Sequence, residues 1–243
     1  VVNAVAGGGT LIAFPALLAL GIPPIAANVT SKLALLPGYL GGTLAQRADL
    51  QGQRARLLWI LPLSFAAGLA GALLLLQSEE QLFTALVPWL ILLAAALIAI
   101  QEPLKAWLAR RQAARGDGVP SEGRAAIPIV LTAAYGGYFG AGLGVIILAV
   151  LGLFLHDSLA RLNALKQTMS LSATLSASIF FAFSGQVLWD AAAVMGAGAL
   201  LGGACGGALA RRVNPKVLRG SIVTIGFLIA AIYFARAQAS GML

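Results

Sequence analysis

Two lysines lie inside apolar stretches, Lys32 in Asn28-Val29-Thr30-Ser31-Lys32 and Lys166 in Asn163-Ala164-Leu165-Lys166. A cation in hydrocarbon is costly unless it faces a polar cavity or a partner, so each lysine marks a candidate functional site. Asn28 and Lys32 are spaced i, i+4 and Asn163 and Lys166 i, i+3, so each amide shares a helix face with its ammonium. An ammonium offers three donors and an amide two, a set that suits a small oxyanion better than a metal ion. Thr30, Ser31 and Gln167 add hydroxyl and amide groups beside them, with Thr168 and Ser170 further along. Hydroxyls within a helix also bond their own backbone, which is the competing reading for those residues. Lys166 comes only five residues after Arg161, so its stem could instead snorkel to the interface. Lys32 lies about 10 Å into its span at 1.5 Å per residue. Together the two pairs are expected to form one pocket for a small inorganic or organic anion.

The missing residue types narrow the chemistry further. No carboxylate sits deep in an apolar stretch: Glu102 is near a span end, and Asp157 and Asp190 lie at loop edges. A cation pathway through an acidic ring is therefore not expected. His156 is the one histidine and sits beside Asp157 at a span boundary, which fits a surface or capping role rather than a proton relay. Cys205 stands alone and cannot form an internal disulfide. With no further His or Cys there is no metal site to name, and no cofactor motif. No phosphate loop of the G-x-x-x-x-G-K-[ST] type occurs, so ATP is not the chain's own energy source. An intramembrane enzyme would lack a base for its nucleophile, and the chain is not expected to be an enzyme.

The elements that must position these residues follow from composition. Of 243 residues 60% are hydrophobic and 10% charged, against about 25% charged in ordinary soluble domains. Apolar runs of about 20 residues, enough to cross ~30 Å of hydrocarbon, recur along the chain and leave no room for a soluble domain. The expected fold is an all-α polytopic membrane protein embedded in a lipid bilayer. Eight segments are expected, at 1–20, 25–45, 57–76, 82–100 with a basic amphipathic continuation to 111, 125–155, 159–183, 189–209 and 217–235. The net charge of +8 would suit nucleic acid in a soluble protein. Here the basic residues cluster in short loops, the positive-inside pattern, and no nucleic acid partner is expected. The chain opens at Val1 without an initiator Met or a basic leader, so the first span is expected to begin upstream.

The chain reads as two related halves of about four segments each. Gly9-Thr10-Leu11-Ile12 lies over Gly144-Val145-Ile146-Ile147 at an offset of 135, which also places Asn28 on Asn163. The expected division is a first transmembrane repeat over 1–112, a cytoplasmic linker over 113–124 and a second repeat over 125–243. Loop charge selects inverted rather than parallel repeats. In the inverted arrangement Arg47, Arg54, Arg56, Lys105, Arg110, Arg111, Arg115, Arg124, Arg161, Arg211, Arg212, Lys216 and Arg219 fall on one side, leaving Arg236 on the other. Inversion requires the first and fifth segments to enter and leave on one side, as broken or re-entrant elements. Gly7, Gly8 and Gly9 in the first, and Gly142 and Gly144 in the fifth, are expected to supply the break and anion-facing backbone. Irregular backbone at that depth must be buried or line a cavity. The alternative is helix packing, since Gly136, Gly140 and Gly144, Gly38 and Gly42, and Gly198, Gly202 and Gly206 all fall at small-xxx-small spacing.

The ordered motifs resemble the TauE/SafE family of sulfite exporters and related anion permeases. They are the run Gly7-Gly8-Gly9-Thr10-Leu11-Ile12-Ala13-Phe14-Pro15-Ala16-Leu17-Leu18, then Gly21-Ile22-Pro23-Pro24 and Ala27-Asn28-Val29-Thr30-Ser31-Lys32. In the second half they are Leu162-Asn163-Ala164-Leu165-Lys166, Gly185-Gln186-Val187-Leu188-Trp189 and the stretch from Gly202 to Arg212. The resemblance covers essentially the whole chain, with Gln167 standing where an Asn is expected. It implies a bacterial inner-membrane, multi-pass secondary carrier that exports small sulfur-containing anions such as sulfite or organosulfonates. It also selects Asn28, Lys32, Asn163 and Lys166 as site residues. Alternating access around a Lys/Asn-lined site is the expected mechanism; an anion channel is the nearest alternative, and an intramembrane enzyme or a membrane scaffold lie further away. Nothing in the residues sets an oligomeric state.

Overall fold

The computed structural model describes residues 9–114, 122–209 and 215–239. Its helices are α1 (Gly9–Ala19), α2 (Pro24–Ala45), α3 (Arg54–Gln77), α4 (Glu80–Ala114), α5 (Ala126–Tyr138), α6 (Leu143–Phe154), α7 (Leu159–Ala182), α8 (Trp189–Leu209) and α9 (Pro215–Ala239). Short 3₁₀ turns at Arg47–Leu50 and Glu122–Ala125 precede α3 and α5, and no strand occurs among the described residues. α3 and α4 are long and apolar enough to cross a membrane. The expected fourth span and its basic continuation are one uninterrupted helix.

Local chemistry sets the helix limits. α1 ends where Gly21 takes φ +79°, and the N–H groups of Gly21 and Ile22 return to the carbonyls of Leu18 and Leu17, a glycine-capped end. Pro24 then opens α2 at the position where a missing N–H costs nothing. Ser158 caps α7, its hydroxyl accepting from the Arg161 N–H at 3.3 Å.

The fifth segment divides into α5 and α6 at residues 139–142, where Gly140 and Gly142 take φ +81° and +73°. Those dihedrals are open to glycine and rarely to other residues, so no helix continues through them. This corrects the packing-stripe reading of Gly136, Gly140 and Gly144: the first lies in the last turn of α5, the second forms the turn, and the third, expected to help supply the break, is helical in the first turn of α6. The two arms make a hairpin whose feet lie at one end of the bundle. Arg56, at the start of α3, pairs with Glu122 before α5 at 2.7 Å and with Asp157 after α6 at 2.6 Å. Gln112, late in α4, donates to the carbonyls of Gly152 and Leu155 at 3.1 and 2.8 Å. At 1.5 Å per residue each arm is about 18–20 Å long, well short of a ~30 Å hydrocarbon core.

α5 is seated on α3 almost without side chains. A Cβ on Gly137 would overlap the Gly68 carbonyl, and one on Gly71 the Ala134 carbonyl, while one on Gly68 would stand 2.5 Å from the Ala173 carbonyl of α7. Glycine at these places lets three helix backbones touch. One core gathers Phe14, Phe83, Phe139 and Phe181, with the Phe14 and Phe139 rings 5.3 Å apart, edge to face. A second gathers Ile60, Leu108, Ile129, Ile147 and Leu162 around the hairpin feet.

Pro24 and Leu159, Arg54 and Trp189, and Glu80 and Pro215 each open a helix, and each pair is 135 residues apart. Four contacts orient these helices. The Ile25 N–H donates to Glu80 Oε1 at 3.1 Å, placing the starts of α2 and α4 together. The Leu188 N–H donates to Thr30 Oγ1 at 3.1 Å, placing the start of α8 near them. Gln53 reaches the Arg161 carbonyl at 3.3 Å, placing the starts of α3 and α7 together at the opposite end. There, Arg219 near the start of α9 pairs with Glu102 of α4 at 2.8 Å. Arg47, Arg54, Arg56, Arg124 and Arg161 crowd that second end, whereas connections 20–23, 78–79 and 183–188 at the first contain no Lys or Arg.

Candidate functional site

The geometry starts from α2, whose first turns are fully packed. Lys32 is 4% exposed; its Nζ donates to the Gly136 carbonyl at 2.6 Å and to that of Gly137, and lies 5.7 Å from the centre of the Phe181 ring. Asn28, one turn earlier on the same face, donates through Nδ2 to the Tyr138 carbonyl at 2.8 Å. Three successive carbonyls at the end of α5, which no helical N–H can reach, are thus capped from one face of a neighbouring helix. The ammonium sits at the negative end of the α5 dipole. Asn28 Oδ1 is buried without a partner. Ser31 bonds the Asn28 carbonyl of its own helix at 2.9 Å, and Thr30 fixes the start of α8, so both hydroxyls carry structural bonds here.

The second cluster is built differently. Asn163 Nδ2 donates to Gln46 Oε1 and Lys166 Nζ to Asn163 Oδ1, each at 2.6 Å. Asn163, Lys166 and Gln167 are only half-buried. The Gln167 amide lies against Gly42 of α2, and Gly144 faces the Lys166 stem, its added Cβ falling 3.6 Å from Cδ.

Beside Lys32 is a cavity of about 10 Å³, the space of roughly one water centre. Lys32, Thr10, Tyr39 and Thr174 form its polar wall; Leu35, Phe139, Leu143 and the backbone of Gly136 and Gly140 form the rest. Lys166 is not part of that lining, but Leu143 is, and its neighbour Gly144 borders Lys166, so the start of α6 stands between the two lysines. Gly142, left-handed, is the N-cap of α6, and Gly9 opens α1 just before Thr10. Gly7 and Gly8 lie outside the described residues. The first turns of two short helices therefore meet one cavity with an ammonium and three hydroxyls, a setting in which N–H dipoles favour an anion. Sequence reasoning did not select Thr10, Tyr39 or Thr174 as site residues. The signal was available for two of them: Tyr39 and Thr174 are 135 residues apart, like Asn28 and Asn163.

At the hairpin feet Asp157 bridges Arg56 and Arg161, at 2.6 and 2.7 Å. Burial opposes its ionisation, but hydrogen bonds from Arg161, the Ser158 N–H and Arg56, with the Arg161 charge, outweigh it and hold the carboxyl below its ordinary 3.8. His156 is exposed beside this network, near the Gln112 carbonyl at 3.4 Å.

The family model described as "Sulfite exporter TauE/SafE" matches residues 1–233. A "Probable membrane transporter protein" of Haemophilus influenzae is 29% identical over 234 residues, covering 95% of this chain and 88% of that protein. The "Probable membrane transporter protein ORF9" of Sinorhizobium sp is 28% identical over 94% of this chain and 85% of its own length. The "Probable membrane transporter protein YfcA" of Escherichia coli K12 is 23% identical, over 95% and 83%. No solved structure matches the chain. With the family's pattern running through all but the last ten residues, this chain belongs to the TauE/SafE sulfite exporter family.

Proposed function

We propose that the protein is a multi-pass secondary carrier of the bacterial inner membrane that exports small sulfur-containing anions, such as sulfite or organosulfonates. Its halves, 1–112 and 125–243 joined by a cytoplasmic linker, act as inverted repeats that rock about the Lys32 cavity. The common 135-residue spacing of helix starts supports this reading, as do the opposite directions of α2 and α7, α3 and α8, and α4 and α9. So does the hairpin α5–α6, a re-entrant element whose feet share the arginine-rich end, which faces the cytoplasm.

The observation that carries the function is a buried lysine in the wall of a cavity where the first turns of α1 and α6 converge. Lys32 supplies the charge, and Thr10, Tyr39 and Thr174 supply hydroxyl donors to the anion's oxygens. Asn163, Lys166 and Gln167 form a half-buried polar station on the cytoplasmic side of the start of α6. A cavity this small fits a carrier that binds one anion at a time rather than a channel with a standing pore.

Proteoliposomes loaded with sulfite test the assignment. Saturable efflux that accelerates when sulfite is supplied on the far side is expected; unsaturable flux would reject the carrier. The topology is tested separately, in a Cys205→Ser background: Ser78→Cys and Ser158→Cys are expected to react with impermeant reagent from opposite faces. Labelling from one face would reject the inverted arrangement.

A further inference from the structure

We infer that the Lys32 ammonium has two alternating partners: it closes the tip of the α5–α6 hairpin while the site is empty, and it turns to the anion as that tip opens. Anion occupancy and release of residues 139–142 are then one event. This rests on the Lys32 cavity being the anion site.

The size of the cavity forces the issue. Space for about one water does not admit a sulfite or sulfonate group, so part of the wall must move when the anion enters. The body of α5 is poorly placed to move, because Gly137 rides on the Gly68 backbone and Ala134 on Gly71. The turn is tied differently: Phe139 and Gly140 wall the cavity, its own ties are the Tyr135 hydroxyl on the Ala141 carbonyl at 2.6 Å and the packing of Phe139 on Phe14, and Gly140 and Gly142 hold dihedrals that glycine can readily leave.

What ties this end of α5 to α2 is the pair Lys32 and Asn28. Two of the three ammonium protons are committed to the Gly136 and Gly137 carbonyls. A full negative charge is a stronger acceptor than a carbonyl dipole, so an anion beside Thr10, Tyr39 and Thr174 competes for those protons. Asn28 cannot follow, because its amide is held by Tyr138 and its other atom, Oδ1, is an acceptor that repels an anion. Asn28 is thus a positioning residue that keeps the end of α5 in reach of Lys32. Its orphaned Oδ1 is a cost carried by the closed form, which an opened, wetter tip relieves.

The full chain in nanodiscs, probed with sodium sulfite and with methanesulfonate, provides the test. Binding is read by calorimetry and opening by backbone hydrogen exchange over residues 138–144. That stretch includes the Phe139 and Leu143 amides, now bonded to the Tyr135 and Gly140 carbonyls. In the parent, a bound probe is expected to speed this exchange at least several-fold. Lys32→Ala is expected to exchange fast with or without probe and to bind neither. Asn28→Ala is expected to speed exchange and to lower the maximal efflux rate more than it raises the half-saturating concentration. A parent that binds probe with unchanged or slower exchange overturns the inference and leaves the anion site standing. Lys32→Ala binding with parental affinity, or a parent that binds neither probe, removes the anion site itself. Should Lys32→Ala fail to fold, the parent with and without probe decides alone.

Discussion

Asn28–Lys32 and Asn163–Lys166 carry the same residue types, with the asparagines 135 residues apart and the lysines 134, yet they satisfy their polar groups in opposite ways. On α2 the amide and the ammonium both reach the backbone of another element, the end of α5. On α7 the two side chains bond each other and Gln46. A cation tied to a helix end couples any ligand to that helix; a cation tied to side chains is free to hand a ligand on. Burial follows the same division, with Lys32 enclosed and Lys166 half-buried. The sharpest break of this comparison is a pair of substitutions. Lys32→Ala removes a charged donor from an enclosed site, worth about 3 kcal/mol or about a hundredfold in sulfite affinity. Lys166→Ala, where water can replace the ammonium, is expected to cost about tenfold. Calorimetric titration of both purified variants measures the difference, and equal losses would show that the two lysines play one role.

The same contrast extends to the glycines nearest each cluster. At Gly137, whose carbonyl serves Lys32, an added methyl has nowhere to go because it meets the Gly68 backbone rather than a flexible side chain. Gly137→Ala is expected to destabilise by about 2 kcal/mol or more, as overpacking does, and to shift the carbonyls that Lys32 caps. At Gly144 the nearest atom to the new Cβ is the Lys166 Cδ at 3.6 Å, an ordinary contact. There the helix propensity of alanine dominates, and Gly144→Ala is expected to stabilise by up to about 1 kcal/mol. Thermal unfolding of the two variants gives opposite signs if the clusters differ as described.

The sequence made the helical class legible, since hydropathy and loop punctuation place every helix start after the first segment, except that of α6, within a few residues. It also located the break in the fifth segment, because only a glycine-dense stretch can supply two left-handed residues within four positions. The partners of the lysines were not legible. Hydropathy says that Lys32 is buried but not what it meets, and the Gly136 to Tyr138 carbonyls come into reach only once the hairpin has folded back. The contacts of Gly68 and Gly71 escaped for a similar reason: close approach of backbones depends on which faces meet. Thr10, Tyr39 and Thr174 escaped because isolated hydroxyls in apolar helices usually bond their own backbone. The offset that aligned the asparagines would have paired Tyr39 with Thr174, had it been applied to every polar residue.

The smallest expected effect separates the two ends of the hairpin. Its tip is held by the Lys32 ammonium, the Asn28 amide and the Tyr135 hydroxyl on backbone carbonyls, its feet by Arg56, Asp157 and Arg161 in a partly exposed ion-pair network. Because Asp157 is held below its ordinary 3.8 in the fold, its contribution is present above that value and is lost as pH falls through the lower, folded one. Stability from this carboxylate is therefore flat between about pH 8 and pH 5 and declines only below about pH 4. Asp157→Asn is expected to cost about 1 kcal/mol or less near neutrality, since side chains of this exposure are screened. The two melting curves should converge once the pH has fallen through the folded carboxyl's own titration, where the parent's side chain is also neutral. A gap that persists there would mean that Asp157 acts through packing or hydrogen bonding rather than charge. A gap that closes already between pH 7 and pH 5 would assign the pH response of the feet to a group other than Asp157.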